Sequence, residues 1–340
     1  MGVDIGSILE KNQIELAELK GKKLAVDAFN TLYQFITIIR QPDGTPLMDS
    51  RGRVTSHLSG LFYRTCNLLE KGIKPIYVFD GKPCELKKRT LDERAAAKKE
   101  AQLQMLEAIK RGDVERAGQL SQRTAKLGSV EIQQSKELLT LLGVPWVQAA
   151  SEGEAQCAYM AKQGIVDAAA SQDYDTLLFG APLLVRNLTI AGKKKLPRTH
   201  VFVDVKPEEI NLEKSLNALG ITREKLIWIG LLNGTDFNEG IYGIGPKKAL
   251  KLVQKHSSMQ EILKEIGKKM EWREVYELFE KPSTVEVSAS EITASEPQRD
   301  KIVKLMVDEH EFSLDRVENS LKKAFKEPED AGQSQLKKWF

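Results

Sequence analysis

Short runs of apolar residues alternate with longer amphipathic stretches throughout the first half of the chain. The runs 22–26, 75–79 and 166–170 are mainly apolar, which is typical of strands that are buried on both faces. The helical stretches end at glycine, as at Gly72 and Gly143, each with a proline shortly after it, and this combination marks the end of a helix. Strands and helices that alternate in this way predict an α/β fold, with a central, mostly parallel, twisted sheet covered by helices on both faces.

The remaining pattern predicts further helices and loops. In the first half we expect helices at 57–70, 132–142 and 151–164 and a short strand at 146–147. From Leu212 onward the spacing of apolar residues is helical, and a glycine-rich turn interrupts it at 240–245. The stretch 282–298, rich in Ser, Thr, Glu and Pro, predicts a loop, and 327–332 predicts a polar linker.

One segment, 82–126, breaks the alternation of strands and helices. It is charged, helical in spacing and poor in large apolar residues, so we interpret it as an insertion that projects from the sheet. It contains twelve Lys or Arg and seven Asp or Glu, whereas the whole chain has a net charge of only +3. The excess of positive charge indicates either a solvated helix surface with i,i+4 ion pairs or a surface for an anionic partner.

The chain lacks the signals of several other protein classes. No apolar run approaches the roughly 18 residues of a membrane span, and the first residues have neither the basic nor the apolar region of a signal peptide. Three cysteines without C-x-x-C and four scattered histidines without H-E-x-x-H argue against a disulfide framework and a zinc site. Neither a Walker A motif nor G-x-G-x-x-G is present, which argues against a nucleotide-driven or NAD enzyme. We expect a cytoplasmic protein that contacts no membrane.

Acidic residues recur where the predicted strands end. Three strands are followed by acids, a helix begins with two more, and an apolar helix ends near another: Asp27, Asp80, Glu152, Glu154, Asp173, Asp175 and Asp236. Open α/β sheets bind their ligands at the carboxyl ends of the strands, and parallel strands bring these ends to one edge. We therefore expect all seven carboxylates to converge there.

Such a cluster needs cations, because like charges within a few ångströms raise each other's pKa values. Mg²⁺ prefers carboxylate and water oxygens, and two ions about 3.5–4 Å apart can activate a water and stabilise the leaving oxygen of a phosphodiester. Each acid also has a simpler explanation. Ser151 and Glu154 match a capping box, and Asp80, Asp173 and Asp175 are common turn residues.

Five motifs containing these acids carry a resemblance to a known family: Val26-Asp27-Ala28, Val78-Phe79-Asp80-Gly81, Ser151-Glu152-Gly153-Glu154-Ala155-Gln156, Ser171-Gln172-Asp173-Tyr174-Asp175 and Gly234-Thr235-Asp236. They resemble the flap endonuclease family of 5′ nucleases over nearly the whole chain. The resemblance implies a PIN-like fold and two Mg²⁺ ions, for which Mn²⁺ can substitute. It implies cleavage of 5′ flaps and 5′-3′ exonuclease activity, in Okazaki fragment maturation and DNA repair.

The same resemblance implies roles for individual residues. Asp27, Asp80, Glu152 and Glu154 would serve one metal ion, and Asp173, Asp175 and Asp236 the other. The amine of Gly2 would lie near the active site after loss of Met1. The insertion would be the helical arch through which the 5′ flap threads, with Lys87 and Arg94 as its basic catalytic pair. Tyr33 would stack on a base near the cut, and Cys84 departs from the proline usual at the arch entrance.

The stretch 240–248 has the signature of a helical hairpin that binds duplex DNA. Gly243 and Gly245 allow the backbone to approach phosphate at a helix N-terminus, and Lys247 and Lys248 would add contacts to phosphate. The alternative is an ordinary helix start with Pro246 near its first position. In the family that the chain resembles, backbone carbonyls at this hairpin hold a K⁺ ion.

The last residues resemble the box that binds the sliding clamp PCNA. Gln333, Leu336, Trp339 and Phe340 match its Q-x-x-aliphatic-x-x-aromatic-aromatic pattern, and one 3₁₀ turn would bring the apolar three together. Docking of this tail on the chain's own core is the alternative. Because no basic extension follows the box, the archaeal form of the family is the nearest match.

The predicted organisation is a nuclease core, 1–326, and a flexible tail, 327–340. The core has an N-terminal nuclease region (1–105), the arch (82–126), an internal region (127–260) that contains the hairpin (233–257), and a C-terminal helical part (261–326). The expected partners of this monomer are branched DNA with a 5′ flap and the clamp. Competing hypotheses are a bubble nuclease, a PIN-type ribonuclease and a catalytically silent DNA-binding adaptor.

Overall fold

A computed structural model describes residues 2–41, 44–190, 192–195 and 202–325. These residues form nine strands: β1 (Asn12–Gln13), β2 (Lys23–Asp27), β3 (Lys74–Phe79), β4 (Trp146–Gln148), β5 (Ala168–Ala170), β6 (Leu183–Arg186), β7 (Gly192–Lys195), β8 (Phe202–Val205) and β9 (Glu208–Asn211). Seven of them build the central sheet in the order β1-β9-β6-β5-β2-β3-β4, and β7 pairs with β8 in a separate hairpin.

The middle of the central sheet is parallel. Strands β2 to β6 run in the same direction. At one edge β9 pairs antiparallel with β6, and β1 pairs antiparallel with β9. In the centre β2 lies between β3 and β5, with Asp27 opposite Val78 and Val26 opposite Ala170. The carboxyl ends of these three strands therefore lie side by side, and the predicted α/β class is confirmed.

Helices cover both faces of the sheet. The described residues form fourteen α-helices: α1 (Ala28–Ile38), α2 (Ser56–Glu70), α3 (Lys88–Lys110), α4 (Val114–Arg123), α5 (Ser129–Leu141), α6 (Gly153–Lys162), α7 (Asp175–Leu178), α8 (Leu212–Leu219), α9 (Arg223–Asn233), α10 (Pro246–Lys255), α11 (Met259–Glu265), α12 (Arg273–Glu280), α13 (Arg299–Val303) and α14 (Leu314–Ala324). Short 3₁₀ helices lie at Leu16–Leu19 and Glu85–Lys87, and a π-helix lies at Lys304–Glu309.

Two apolar cores fill the space between the sheet and these helices. On one face, Ala25 and Val78 pack with residues of α6, α7 and α9 to α12. On the other face, Leu24 and Val26 pack with residues of α1, α2, α5, α13 and α14. Because successive strand residues point to opposite faces, both faces must be apolar, which explains the mainly apolar runs in the sequence.

The charged insertion forms an antiparallel pair of helices, α3 and α4, joined at Gly112 in the left-handed region (φ 71°). Ala101, Ala108 and Leu120 make a small core between the two helices. Arg40, two residues after the end of α1, holds this pair against the body, because its Nη1 donates to Ser121 Oγ at 2.6 Å. The insertion therefore packs mainly on itself, as a segment poor in large apolar residues must.

The sequence patterns left several elements out. Strands β1, β6, β7, β8 and β9 and helix α1 were not predicted, and the strand expected at 166–170 begins only at Ala168. Asp167 is bound instead to the backbone of the neighbouring strand, accepting a hydrogen bond from Lys23 N at 2.7 Å. No helix in the described ranges is both long enough and apolar enough to cross a bilayer.

Candidate active site at the carboxyl edge of the sheet

The first two acids follow adjacent parallel strands. Asp27 ends β2 and caps α1, because its Oδ1 accepts from Asn30 N at 3.0 Å. Asp80 comes directly after β3, and its Oδ1 accepts from Gly153 N at 2.9 Å. Since β2 and β3 are paired in register up to Asp27 and Val78, both carboxylates lie at the same edge of the sheet.

Glu152 and Glu154 lie at the start of α6. Glu152 is the N-cap residue and makes no side-chain capping bond, and among the described residues Ser151 Oγ has no hydrogen-bond partner. The capping-box interpretation of Ser151 and Glu154 is therefore wrong. Glu154 instead faces the strand acids, since Ser171 Oγ lies 3.2 Å from both Glu154 Oε1 and Asp27 Oδ2.

Asp173 and Asp175 follow β5 and meet the N-terminal segment of the chain. Val3 N donates to Asp175 Oδ1 at 2.7 Å, and Gly2 N lies 3.3 Å from Asp173 Oδ1. A Cβ on Gly2 would lie only 2.8 Å from Asp175 Oδ2. Glycine is therefore required where the backbone approaches these two carboxylates so closely.

The base of the helical insertion supplies two cations to the same edge. Arg94 Nη2 lies 2.6 Å from Asp236 Oδ1, and Lys87 Nζ lies 3.7 Å from Asp236 Oδ2. Lys87 Nζ also donates a hydrogen bond to Glu152 Oε2. Lys87 thus contacts acids from the start of α6 and from the loop after α9, and Arg94 contacts the acid of that loop.

The acids repel one another strongly in this buried place. Burial raises the pKa of Asp27 to about 8, with Asp80 and Asp173 adding to the rise. Burial likewise raises the pKa of Asp175 to about 7, helped by Asp236 and Asp173, and that of Asp80 to about 6, helped by Glu152. Burial and then Asp175 raise the pKa of Glu154 well above its ordinary value. Each ionised acid therefore makes its neighbours harder to ionise.

The acids favour the charged form of Lys87, whereas they disfavour the charged forms of one another. Burial lowers the pKa of its ammonium, but Glu152 and Asp236 together raise it above the ordinary value of a lysine. One lysine and one half-exposed arginine cannot balance seven acids, so the edge retains an excess of negative charge.

The donor set at this edge suits a hard divalent cation, because all seven groups offer carboxylate oxygen. Cys157, the nearest thiol, is buried, and burial raises its pKa well above the ordinary value, so it stays protonated. Within the described ranges, no three Asp, Glu, His or Cys side chains are turned toward one point so as to hold a metal ion. Several carboxylates point instead at N–H and O–H donors and at the two cations described above.

The other residues singled out in the sequence make none of the contacts described above or lie outside the described chain. Tyr33 lies on α1 with 45% of its surface exposed. Gly243 (φ 80°) forms a turn in which Ile244 N donates to Ile241 O at 2.9 Å, and Gly245 is the N-cap of α10. Lys247 and Lys248 are exposed on the first turn of α10. The tail residues Gln333, Leu336, Trp339 and Phe340 lie outside the described residues.

Sequence reasoning missed three residues that contact the acids. Asn30 donates its side-chain amide to Asp173, Ser171 bridges Asp27 and Glu154, and Val3 binds Asp175. The position of Asn30 three residues after Asp27 is the spacing of a helix cap and predicts its backbone bond to Asp27, but not the contact of its side chain with Asp173. The contact of Val3 has no local signal, because its partner is 172 residues away.

Comparison with known proteins gives full-length matches. The family described as the XPG N-terminal domain matches residues 1–101, and the XPG I-region matches residues 143–236. Flap endonuclease 1 of Pyrococcus abyssi is 51% identical over 341 residues, which cover 100% of this chain and 98% of the relative. The structure of flap endonuclease-1 from Methanococcus jannaschii is 42% identical and superimposes with a TM-score of 0.73, covering 95% of this chain and 98% of that one.

A more distant structure shares the fold. The catalytic core of Rad2 in complex with DNA substrate is 22% identical and superimposes with a TM-score of 0.68, over 94% of this chain and 98% of that one. At this level of identity the likeness concerns the arrangement of the sheet and helices alone.

The buried acids predict how stability depends on pH in the absence of divalent ions. Folded Asp27 has a pKa of about 8 against an ordinary 3.8, so unfolding releases its proton between these values and stability falls as pH rises. Burial lowers the pKa of His57 to about 4, which acts in the opposite direction, but only below its ordinary value of 6.5. We therefore expect the free energy of unfolding in EDTA to fall between pH 6.5 and 8, by at most about 1.4 kcal/mol per pH unit for each such proton.

Replacing Asp27→Asn should flatten this dependence, because it removes one of the titrating groups. Urea unfolding of the wild type, of Asp27→Asn and of Glu318→Gln, a control at an exposed acid of α14, measures the slope. Equal slopes for all three proteins would show that Asp27 ionises normally in the folded state.

Proposed function

Because the chain belongs to the flap endonuclease family, we propose that it hydrolyses one phosphodiester bond at the base of a 5′ flap with the help of two divalent metal ions. The protein is a structure-specific nuclease of the kind that acts in DNA replication and repair. On flap DNA it would have both endonuclease and 5′-3′ exonuclease activity. The observation that carries the proposal is the electrostatic coupling of seven carboxylates gathered at the carboxyl edge of β2, β3 and β5, where each raises the pKa of a neighbour or has its own raised.

Two groups of carboxylates would hold the ions. Asp27, Asp80, Glu152 and Glu154 form the first group, and Asp173, Asp175 and Asp236 form the second. When bound, Mg²⁺, or Mn²⁺ in its place, would lower the pKa of a water and offset the charge that develops on the leaving oxygen. The shared repulsion of the acids supports this proposal, because divalent cations would relieve it.

Lys87 and Arg94 would bind the scissile phosphate. Both already contact carboxylates of the cluster, so a phosphate held at this edge lies within reach of the ammonium and the guanidinium. Each would donate charge-assisted hydrogen bonds to phosphate oxygens and stabilise the charge that builds up as the bond breaks. A conformational change is required, since these groups must turn from the acids toward the DNA.

The helices α3 and α4 would form the arch that admits the single-stranded flap. Their excess of positive charge would attract the phosphate backbone, and Lys87 and Arg94 join the base of the arch to Glu152 and Asp236. Tyr33, exposed on α1, would stack on a base beside the cut.

The turn before α10 would bind the duplex arm. Its backbone around Gly243 and Gly245 is open, with nothing within 4 Å of the place a Cβ would take. Lys247 and Lys248 lie on the first turn of α10, whose N-terminus carries the positive end of the helix dipole. The helix that begins at Pro246 is therefore compatible with both a phosphate-binding hairpin and an ordinary helix start. A K⁺ ion on nearby carbonyls would strengthen the contact with phosphate.

The tail, Gln333 to Phe340, would bind the sliding clamp PCNA, with the enzyme as a monomer. Leu336, Trp339 and Phe340 would fill an apolar pocket of the clamp, and 327–332 would act as a tether. Such a tether keeps the nuclease near DNA without any contact to its active site.

Removal of one proposed metal ligand should separate binding from chemistry. Asp173→Ala should abolish cleavage of a labelled 5′ flap in Mg²⁺ while leaving flap affinity, measured in Ca²⁺ or EDTA, within a few-fold of wild type. Asp167→Asn, at the opposite end of β5, is the control. Retained turnover by Asp173→Ala, or cleavage by the wild type in EDTA, would refute the metal assignment.

The basic pair should matter for the chemical step. Lys87→Ala or Arg94→Ala should slow single-turnover cleavage on the order of 10²-fold, because a preorganised donor to the developing charge is lost. Arg89→Ala provides a control on the same helix, since Arg89 pairs with Glu93 and Glu239 and not with the seven acids. Unchanged rates for Lys87→Ala and Arg94→Ala would exclude a role in catalysis.

The tail should affect only cleavage in the presence of the clamp. Deleting 333–340 should leave the rate on free flap DNA unchanged but remove the stimulation of cleavage by the clamp. A double replacement, Trp339→Ala with Phe340→Ala, should have the same effect, because these side chains supply most of the apolar area. Stimulation that persists in both proteins would show that the clamp binds elsewhere.

A further inference from the structure

Asn30 lies between two acids that come from different strands. Its side-chain Nδ2 donates to Asp173 Oδ2 at 2.9 Å, and its backbone N donates to Asp27 Oδ1 at 3.0 Å. Asp27 ends β2, whereas Asp173 follows β5, so one residue of α1 fixes a carboxylate of each strand. It is half-buried, which protects both hydrogen bonds from competition with water.

A chain of side-chain hydrogen bonds fixes the orientation of the Asn30 amide. Gln34 Nε2, one helical turn later, donates to Asn30 Oδ1 at 3.1 Å. Thr189 Oγ1, which is buried, donates in turn to Gln34 Oε1 at 3.1 Å. If the amide were reversed, Asn30 Oδ1 would face the Asp173 carboxylate and two acceptors would oppose each other. The Asp173 carboxylate, which only accepts, therefore sets the direction of the Asn30 amide, and Gln34 and Thr189 hold the amide from its other side.

The hydrogen bond from Asn30 to Asp173 differs from the ion pairs that Lys87 and Arg94 make with the other acids. Lys87 and Arg94 neutralise charge and must leave the carboxylates if they are to bind phosphate. Asn30 is neutral, so it can hold Asp173 without reducing the negative charge available to a cation. Its side chain contacts Oδ2 of Asp173, and its backbone contacts Oδ1 of Asp27. The other oxygens, Asp173 Oδ1 and Asp27 Oδ2, therefore remain for other partners.

We propose that Asn30 is a positioning residue that sets the distance between Asp27 and Asp173, and thereby the geometry of the two groups of metal ligands, with Gln34 and Thr189 holding it in place. Asp27 belongs to the first proposed group and Asp173 to the second. This inference rests on the proposed metal-dependent activity. Partners that orient metal-binding residues typically contribute 10–100-fold to metal affinity or activity.

The test measures Mn²⁺ binding without DNA, by electron paramagnetic resonance or calorimetry, for the full chain and its variants. Asn30→Leu keeps the backbone bond to Asp27 and removes only the side-chain bond to Asp173. We expect it to weaken Mn²⁺ binding by about 10-fold or more and to raise the Mn²⁺ concentration needed for half-maximal cleavage by a similar factor. High Mn²⁺ should restore much of the single-turnover rate, which a general loss of structure would not allow.

Two further variants complete the experiment. Gln34→Leu frees the Asn30 amide to rotate. It should therefore also weaken Mn²⁺ binding, but by a smaller factor than Asn30→Leu. Thr37→Ala, later on the same helix, removes only a bond to Tyr33 O and should bind Mn²⁺ like the wild type. If Asn30→Leu fails to fold, Gln34→Leu carries the test.

The outcomes distinguish this inference from the function on which it rests. Wild-type Mn²⁺ affinity in a folded Asn30→Leu, or in Gln34→Leu where Asn30→Leu does not fold, would overturn the positioning role alone. A wild-type protein that binds no Mn²⁺ and cuts no flap would overturn the proposed function, and the positioning role with it.

Discussion

Mutual repulsion among buried carboxylates is the constraint on which the rest of this structure depends. Parallel pairing of β2 with β3 and β5 brings their carboxyl ends together, so an acid at each end cannot avoid the others. Burial then removes the water that would screen them and raises the pKa values of Asp27, Asp80 and Asp175. Keeping these acids together lowers the stability of the fold, so we expect the edge to have a function. Its chemistry favours the binding of divalent cations.

The contacts around the acids connect the parts of the molecule. Lys87 and Arg94 link the helical insertion to the cluster, and Gly2 and Val3 bring the beginning of the chain to Asp173 and Asp175. A cation or phosphate bound at this edge would therefore change the partners of the insertion as well as those of the sheet. The position of the insertion and the charge state of the site are coupled through these few contacts.

The sequence alone was sufficient to predict a position in the fold where a local pattern depends on that position. An apolar run followed by an acid identified Asp27, Asp80 and Asp173, because a buried parallel strand is apolar on both faces and its carboxyl end faces the ligand. It failed for β9, Glu208–Asn211, whose mainly polar residues form an antiparallel strand between β6 and β1 without such a run. It also failed for Asn30, because the partner of its side chain is 143 residues away and no periodicity reveals that contact.

The most direct test of the central claim is the location of metal ions by anomalous diffraction from crystals of the protein with 5′-flap DNA and Mn²⁺. Two peaks roughly 3.5–4 Å apart, one between Asp80 and Glu154 and the other between Asp173 and Asp236, are the expected result. Peaks elsewhere on the protein, or none among these seven carboxylates under conditions that support cleavage, would contradict the account.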